Sequence, residues 1–392
     1  MSNPTFSPVP PQRRGTASVK WDLSRHQDML PMWVADMDFP CDPSIQAAMV
    51  ERIEHGIFGY TFADEEFFQV FRDWAKETQN WTIGEGHQLY APGMMPAIRE
   101  LILGLTEPGQ GVVVQPPVYN PFYSVVTQNH RRLVENPLVL QNNSYSMDFD
   151  GLARVTADPD TAMVLLCSPH NPVGRVWTEQ ELCTLRDICQ ENRVILVVDE
   201  IHGDLILPGN SFYASGRLAW DSVISIQSPG KTFNIPSVNS AQVVIPNDDL
   251  RKKAQIAFDI GGFEIVNPLS VAAAKAGYTH GRQWLNHILG QVARNLDLFD
   301  ELVAQAEVPM KRMESQGTYL AWVDISEMQK NLGLNTREVQ QELRQKARLW
   351  VSPGTQFGQD GGNGFLRFNL GCPEEHVREA VRRIVCWWNN RD

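Results

Sequence analysis

The rhythm of hydrophobic and polar positions changes twice along the chain. Residues 41–81 carry apolar side chains at helical spacing. From about residue 84 to 246 short β-rich apolar runs alternate with helical stretches, and runs at 111–115, 162–167, 193–198, 222–227 and 241–245 predict strands. Between two of them Leu182, Leu185, Ile188 and Cys189 mark one face of a helix over 179–192, and Thr178 with Glu181 forms a capping-box pattern at its start. Strand–helix–strand alternation predicts an α/β architecture, a mostly parallel sheet covered on both faces. Beyond about residue 281 the order becomes helix 282–306, strand 318–325, helix 336–347, a glycine-rich stretch 354–364, strand 365–370 and helix 374–389, which predicts a smaller α+β domain. The expected division is an N-terminal arm and small-domain segment over 1–45, a large domain over 46–281 and a small C-terminal domain over 282–392. Residues 1–20 read as a loose arm.

Composition narrows the function classes. A net charge of −12 with no block of Lys or Arg argues against a nucleic-acid surface. No apolar run reaches membrane-spanning length, and the polar, proline-rich N-terminus has no apolar signal core, so a cytoplasmic location is expected. Six cysteines form no CxxC pair, which predicts reduced, packed thiols and gives no spacing for zinc.

The chemistry concentrates at the ends of three successive apolar runs. Asn171, Asp199 and Lys231 each follow one, about 30 residues apart, the length of a βαβ unit. Ligands in open α/β sheets bind at the carboxyl ends of strands, so the fold would gather all three. An acid beside an amine is what pyridoxal 5'-phosphate (PLP) requires: the lysine makes a Schiff base and the acid keeps the pyridine nitrogen protonated. Each residue also has a plainer reading. Lys231 could be a solvated loop lysine. It is not the end of a phosphate loop, because Ser225 stands where that motif needs its first glycine. Asp199 could cap the next helix, and Asn171-Pro172 could be only a turn. Pro96 suits the first turn of a helix over 97–105, whose free N–H groups at Met94 and Met95 would cradle a phosphate. Ser228 is a second phosphate donor. Tyr119 could stack on a ring or belong to the core. Arg367, a cation in an otherwise apolar strand, could fork a carboxylate or sit in a structural ion pair. Tyr60 carries no signal of its own.

Together these residues resemble those of fold-type I PLP enzymes, the aspartate aminotransferase superfamily, and more closely the MalY/PatB group of carbon–sulfur β-lyases. The resemblance runs from about Trp33 to the C-terminus through Ala35-Asp36-Met37-Asp38-Phe39, Gly56-Ile57-Phe58-Gly59-Tyr60, Pro117-Val118-Tyr119, Ser168-Pro169-His170-Asn171-Pro172, Asp199-Glu200-Ile201-His202, Lys231-Thr232-Phe233-Asn234 and Arg367-Phe368-Asn369. It implies a seven-stranded-type sheet in the large domain. Lys231 would hold PLP and act as general acid and base, with Asp199 on the ring nitrogen. Asn171 would meet the phenolic oxygen, Tyr119 would stack on the ring, and His202 would belong to the cofactor-binding set. The Met94 and Met95 amides with Ser228 would hold the phosphate. Arg367 would clamp the substrate α-carboxylate, with Asp36 near the entrance. Tyr60 would reach the phosphate of a neighbouring subunit, making a homodimer with shared sites. The implied reaction cleaves cystathionine or a related cysteine S-conjugate to a thiol, pyruvate and ammonia. Two departures bear on it. Gly230 stands where many relatives carry serine, and Asn239 stands where many aminotransferases place a phosphate-binding arginine. The second departure, with His202 in place of the usual aminotransferase tyrosine, favours lyase over transaminase. A PLP-binding regulator without turnover is a third reading, for which no basic patch is evident.

Overall fold

The computed structural model describes residues 11–390. Its larger layer is a seven-stranded sheet of β1 (Gln88–Ala91), β2 (Gly111–Val114), β3 (Arg132–Glu135), β4 (Thr161–Cys167), β5 (Ile195–Asp199), β6 (Val223–Gln227) and β7 (Ala241–Val244), in the order β1-β7-β6-β5-β4-β2-β3. Strands β2 to β6 pair in parallel, and β7 runs antiparallel to both neighbours.

The period-2 alternation of strand side chains divides the core between the two faces. Met163, Leu165, Cys167 and Val197 pack with the helix Met94–Leu105, whereas Val164, Leu166, Leu196 and Val198 pack with the helix Glu179–Asn192. The predicted helix over 179–192 forms at those bounds with its capping box. Two strands of this sheet have no counterpart in the sequence reading. β3 is an edge strand with exposed ends, and β1 is a four-residue run that starts on a glutamine, so neither carries a clear apolar signature.

The smaller layer is an antiparallel sheet of β8 (Lys311–Arg312), β9 (Leu320–Asp324), β10 (Ser352–Pro353) and β11 (Phe365–Asn369), ordered β8-β9-β11-β10. Helices Arg282–Gln305 and Glu374–Asn389 bury Val292, Leu296, Val377 and Ile384 in its core. Leu30–Pro31 pairs in parallel with Leu349–Trp350, tying an N-terminal segment to this layer.

The expected loose arm is corrected in part. Residues 1–10 lie outside the described residues, but from Arg13 onward the segment is anchored by the side chains of Arg13, Arg14 and Lys20. Val19–Asp22 forms a helical turn capped by Ser18, and the Lys20 side chain is completely buried. The reason is electrostatic. Lys20 Nζ donates to Asp38 Oδ2 at 2.8 Å and to the Asp36 carbonyl at 3.0 Å, while Arg13 bridges Asp36 and Asp38 at 2.7 Å each. Burial alone would raise the Asp38 carboxyl, but these two cations hold it below its ordinary value. Replacing Lys20 by methionine removes one of the two cations on a buried carboxylate and leaves Arg13 alone to pair it, which is expected to destabilise the protein by up to about 3 kcal/mol, measured by denaturant unfolding at neutral pH. Because the Asp38 pKa is depressed by folding, this contribution is present above the ordinary carboxylate range and disappears as pH falls through it, so the gap between wild type and Lys20→Met should narrow in acid.

Candidate active site

The carboxyl ends of β4 and β5 meet in register, with Cys167 opposite Asp199. Asp199 lies two residues beyond Val197, so the pleat turns it to the face covered by the helix Met94–Leu105. Adjacent Glu200 is buried too, but its carboxylate is saturated by the Ser225 hydroxyl, the Ser215 N–H at 2.7 Å and Gln227 Nε2 at 3.1 Å. Asp199 accepts one bond, from the Ile201 N–H at 3.0 Å, and burial pushes its carboxyl up to about 7. Two neighbouring acids thus have opposite roles: Glu200 braces β6, and Asp199 is left for a cation.

Beyond β6, Ser228 caps the short helix Pro229–Thr232 that carries Lys231. The Lys231 amine donates to the Ala35 carbonyl, which also accepts the Tyr319 hydroxyl at 2.8 Å. Its remaining exposure is to a cavity walled by protein. Burial lowers its pKa to about 8, the nearby Arg367 adds to the effect, and the Asp36 and Asp199 carboxylates oppose it. The amine is therefore close to its nucleophilic, neutral form at physiological pH.

The cavity, of about 680 Å³, brings together eight of the sequence-predicted residues: Met94, Met95, Tyr119, Asn171, Asp199, His202, Lys231 and Arg367. The helix Met94–Leu105 starts three residues before the expected position, so Met94 and Met95 are its first two residues and their N–H groups have no intrahelical acceptor. Gly93, at φ +129°, provides the turn into it. Arg367 is buried on β11. It donates to Asn171 Oδ1 at 3.1 Å and to the Trp33 carbonyl at 2.7 Å, with its guanidinium 4.7 Å from the Phe357 ring. It pairs with no acid among the described residues, its Nε has no partner, and burial lowers its pKa to about 10. The structural ion pair considered for it is therefore not formed. His202 packs edge-on to Tyr319, its Nδ1 is unpartnered, and burial lowers its pKa to about 3, so the ring is neutral.

Three predicted residues do not line this cavity. The Ser228 hydroxyl is committed to the Ser240 carbonyl at 2.6 Å and accepts the Gly230 N–H at 3.1 Å, which makes it a helix cap rather than a free donor. Asp36 is engaged by Arg13 and Lys20, and it acts on Lys231 through its charge. Tyr60 is 93% exposed and reaches nothing in this chain's own site.

An amine and a carboxyl beside one another, a helix N-terminus with two free N–H groups and a buried guanidinium with no counter-ion among the described residues match the donor set PLP and an amino-acid substrate need. Residues 35–384 match the family described as aminotransferase class I and II. The chain belongs to that family. Among its relatives, the chain is 36% identical over 380 residues to cystathionine beta-lyase PatB of Bacillus subtilis, covering 95% of this chain and 97% of that one. It is 31% identical to protein MalY of Escherichia coli, covering 95% and 96%. Cystalysin from Treponema denticola, solved with its pyridoxal 5'-phosphate cofactor, superposes with a TM-score of 0.93 at 29% identity over the whole of both chains. The fold-type I class and the PLP cofactor expected from the residues are thereby borne out.

For this family member the sequence reading missed several groups. The Ala35 carbonyl is backbone and leaves no mark on residue type. Tyr319 immediately precedes the apolar strand β9 and reads as core. Trp33, Phe357 and Arg337 also line the cavity. Arg337 alone carried a readable signal, a cation in the first turn of a helix.

Proposed function

We propose that this chain is a PLP-dependent carbon–sulfur β-lyase that converts cystathionine and water, or a related cysteine S-conjugate, to a thiol, pyruvate and ammonia. The observation that carries the reading is Arg367: a buried guanidinium with no acid partner among the described residues, lining the same cavity as Lys231 and Asp199. PLP, when bound, draws electrons from the substrate's α-carbon into its ring. Lys231 would carry it, Asp199 would face its ring nitrogen, and the Met94 and Met95 N–H groups would hold its phosphate. Arg367 grips the α-carboxylate and so fixes the α-C–H bond relative to Lys231, whose Nζ takes the proton. His202, being neutral, adds no charge to compete with that carboxylate. The similarity to cystathionine beta-lyase PatB supports β-elimination.

Transamination shares the early chemistry, and the family includes aminotransferases. Incubation of the holoenzyme with cystathionine and no added 2-oxo acid is expected to release pyruvate continuously. Turnover that needs a stoichiometric oxo-acid acceptor would overturn the lyase reading.

We further propose a division at about residues 45 and 281, a cytoplasmic enzyme, since all six thiols are free, and a homodimer. Ile57, Phe58, Tyr60 and Phe62 are 67%, 58%, 93% and 72% exposed, an apolar run that a second copy would cover while receiving Tyr60. Sedimentation at micromolar concentration should give a dimer. Tyr60→Ala should weaken PLP retention while shifting unfolding by less than about 0.5 kcal/mol in the isolated subunit. A fully active monomer would refute the shared site.

A further inference from the structure

We infer that Arg337 is a specificity-determining residue that binds a second carboxylate, carried by the leaving thiol. The enzyme's preferred substrates are then thioethers with an acidic group on both sides of the sulfur. The inference rests on the lyase reading above and adds to it the class of leaving group.

Charge balance in the cavity is the first observation. The ionisable groups lining it are Tyr119, Cys167, Asp199, His202, Lys231, Arg337 and Arg367, and burial raises the pKa of Tyr119 and Cys167, which keeps both neutral. Asp199 and Lys231 are assigned to the cofactor, His202 is neutral, and Arg367 takes the α-carboxylate. Arg337 remains. It makes no ion pair among the described residues. Its Nε donates to Thr355 Oγ1 at 3.3 Å, which orients the guanidinium without neutralising it.

Placement is the second. Arg337 is the second residue of the helix Thr336–Gln345. A cation there opposes the helix dipole, and the local needs of the helix are already met by the Asn335–Glu338 capping box. The helix start is also fixed in space, because the Thr336 hydroxyl donates to Asn363 Oδ1 at 2.9 Å and accepts the Gly364 N–H at 2.8 Å. Nothing in the helix calls for arginine at this position, yet its location is rigidly held.

Continuity with the clamp proposed for Arg367 is the third. Thr355, which holds Arg337, belongs to the short turn Gly354–Gln356, and the next residue, Phe357, packs against the Arg367 guanidinium. A single turn therefore contacts both cations. A substrate held by Arg367 at its α-carboxylate and extending along this wall would present its sulfur substituent to Arg337. Cysteine or S-methylcysteine has nothing to offer it. Cystathionine has a distal carboxylate, which a guanidinium binds through charge-assisted, forked hydrogen bonds.

The test compares Arg337→Gln with wild-type holoenzyme by pyruvate release from cystathionine, S-(2-carboxyethyl)cysteine and S-methylcysteine. Arg337 is exposed, so the change leaves folding intact. The expected result is a fall of roughly ten- to a hundredfold in kcat/KM for the two substrates with a distal carboxylate and less than about twofold for S-methylcysteine. Arg337→Lys should recover part of the loss. Arg337→Glu should raise activity on S-(2-aminoethyl)cysteine. An equal fall on all three substrates, no fall on any, or loss of PLP absorbance in the variant overturns the assignment. Failure of the lyase reading is distinguishable, since wild type would then release no pyruvate from any of them.

Discussion

Lys231→Ala is expected to lower pyruvate release by at least about 10⁴-fold, the largest effect of any single change in the chain. Two losses combine. The variant has no amine to carry the cofactor, and it has no base at the point where the α-proton leaves. Both follow from where the side chain sits: on a four-residue helix capped by Ser228, with its amine held by the Ala35 carbonyl and its charge opposed by burial. The colour test is separate from the rate test. After borohydride reduction and denaturation, wild type should retain PLP covalently and the variant should release it. A Lys231→Ala protein with more than about one-hundredth of wild-type turnover would remove the basis of the proposed function, given that general acid–base contributions alone reach about 10²–10⁴. The pH dependence has a defined sign. Only the neutral amine attacks an aldehyde, and the Lys231 pKa is lowered to about 8, so uptake of PLP by cofactor-stripped protein should accelerate as pH rises and level off above about 8. An ordinary exposed lysine would level off near 10.4 instead.

Much of this site was legible before the fold was known because its parts sit where strands end. The runs before Asn171, Asp199 and Lys231 are β4 and β5, which pair directly, and β6, which pairs with β5. Parallel strands buried on both faces produce continuous apolar runs, so their ends are visible in the sequence. Strands β1 and β3 escaped because a sheet margin lacks that signature. Arg367 was visible as a cation in an apolar strand, but its surroundings were not. Register with Ser352 and Trp322, together with contacts from Asn171 and Trp33, decides that it faces the cavity with no acid partner among the described residues. Ser228 shows the opposite limit. A hydroxyl before the lysine reads as a phosphate donor, yet the same position is a helix N-cap, and the structure commits it to Ser240 and Gly230. Residue type cannot distinguish the two, because each uses the same oxygen. The arm was misread because Arg13 and Lys20 look like solvated charges until Asp36 and Asp38 are brought against them by the fold.

Asp199→Asn should separate catalysis from stability in opposite directions. The amide keeps the shape of the carboxylate and can still accept the Ile201 N–H, so the loop after β5 should not move. What disappears is the charge. A ring nitrogen facing an amide has no reason to stay protonated, and the electron sink weakens. By analogy with the removal of a single preorganised electrostatic group, kcat should fall by about 10²–10³-fold while PLP remains attached to Lys231. Stability of cofactor-stripped protein should change the other way. Folding raises the Asp199 pKa from 3.8 to about 7, so between those values the folded state holds a proton that the unfolded state has released. The stripped wild type therefore loses stability as pH rises from about 4 to about 7, by an amount on the order of 4 kcal/mol. Asparagine has no proton to lose. The stripped variant should match wild type near pH 4 and exceed it by a few kcal/mol at pH 8, measured by denaturant unfolding at both values. A carboxylate that weakens the fold until a cation meets it is explained by that cation. If Asp199→Asn instead left the pH profile of stability unchanged, Asp199 would be paired within the protein and would not be available to the cofactor.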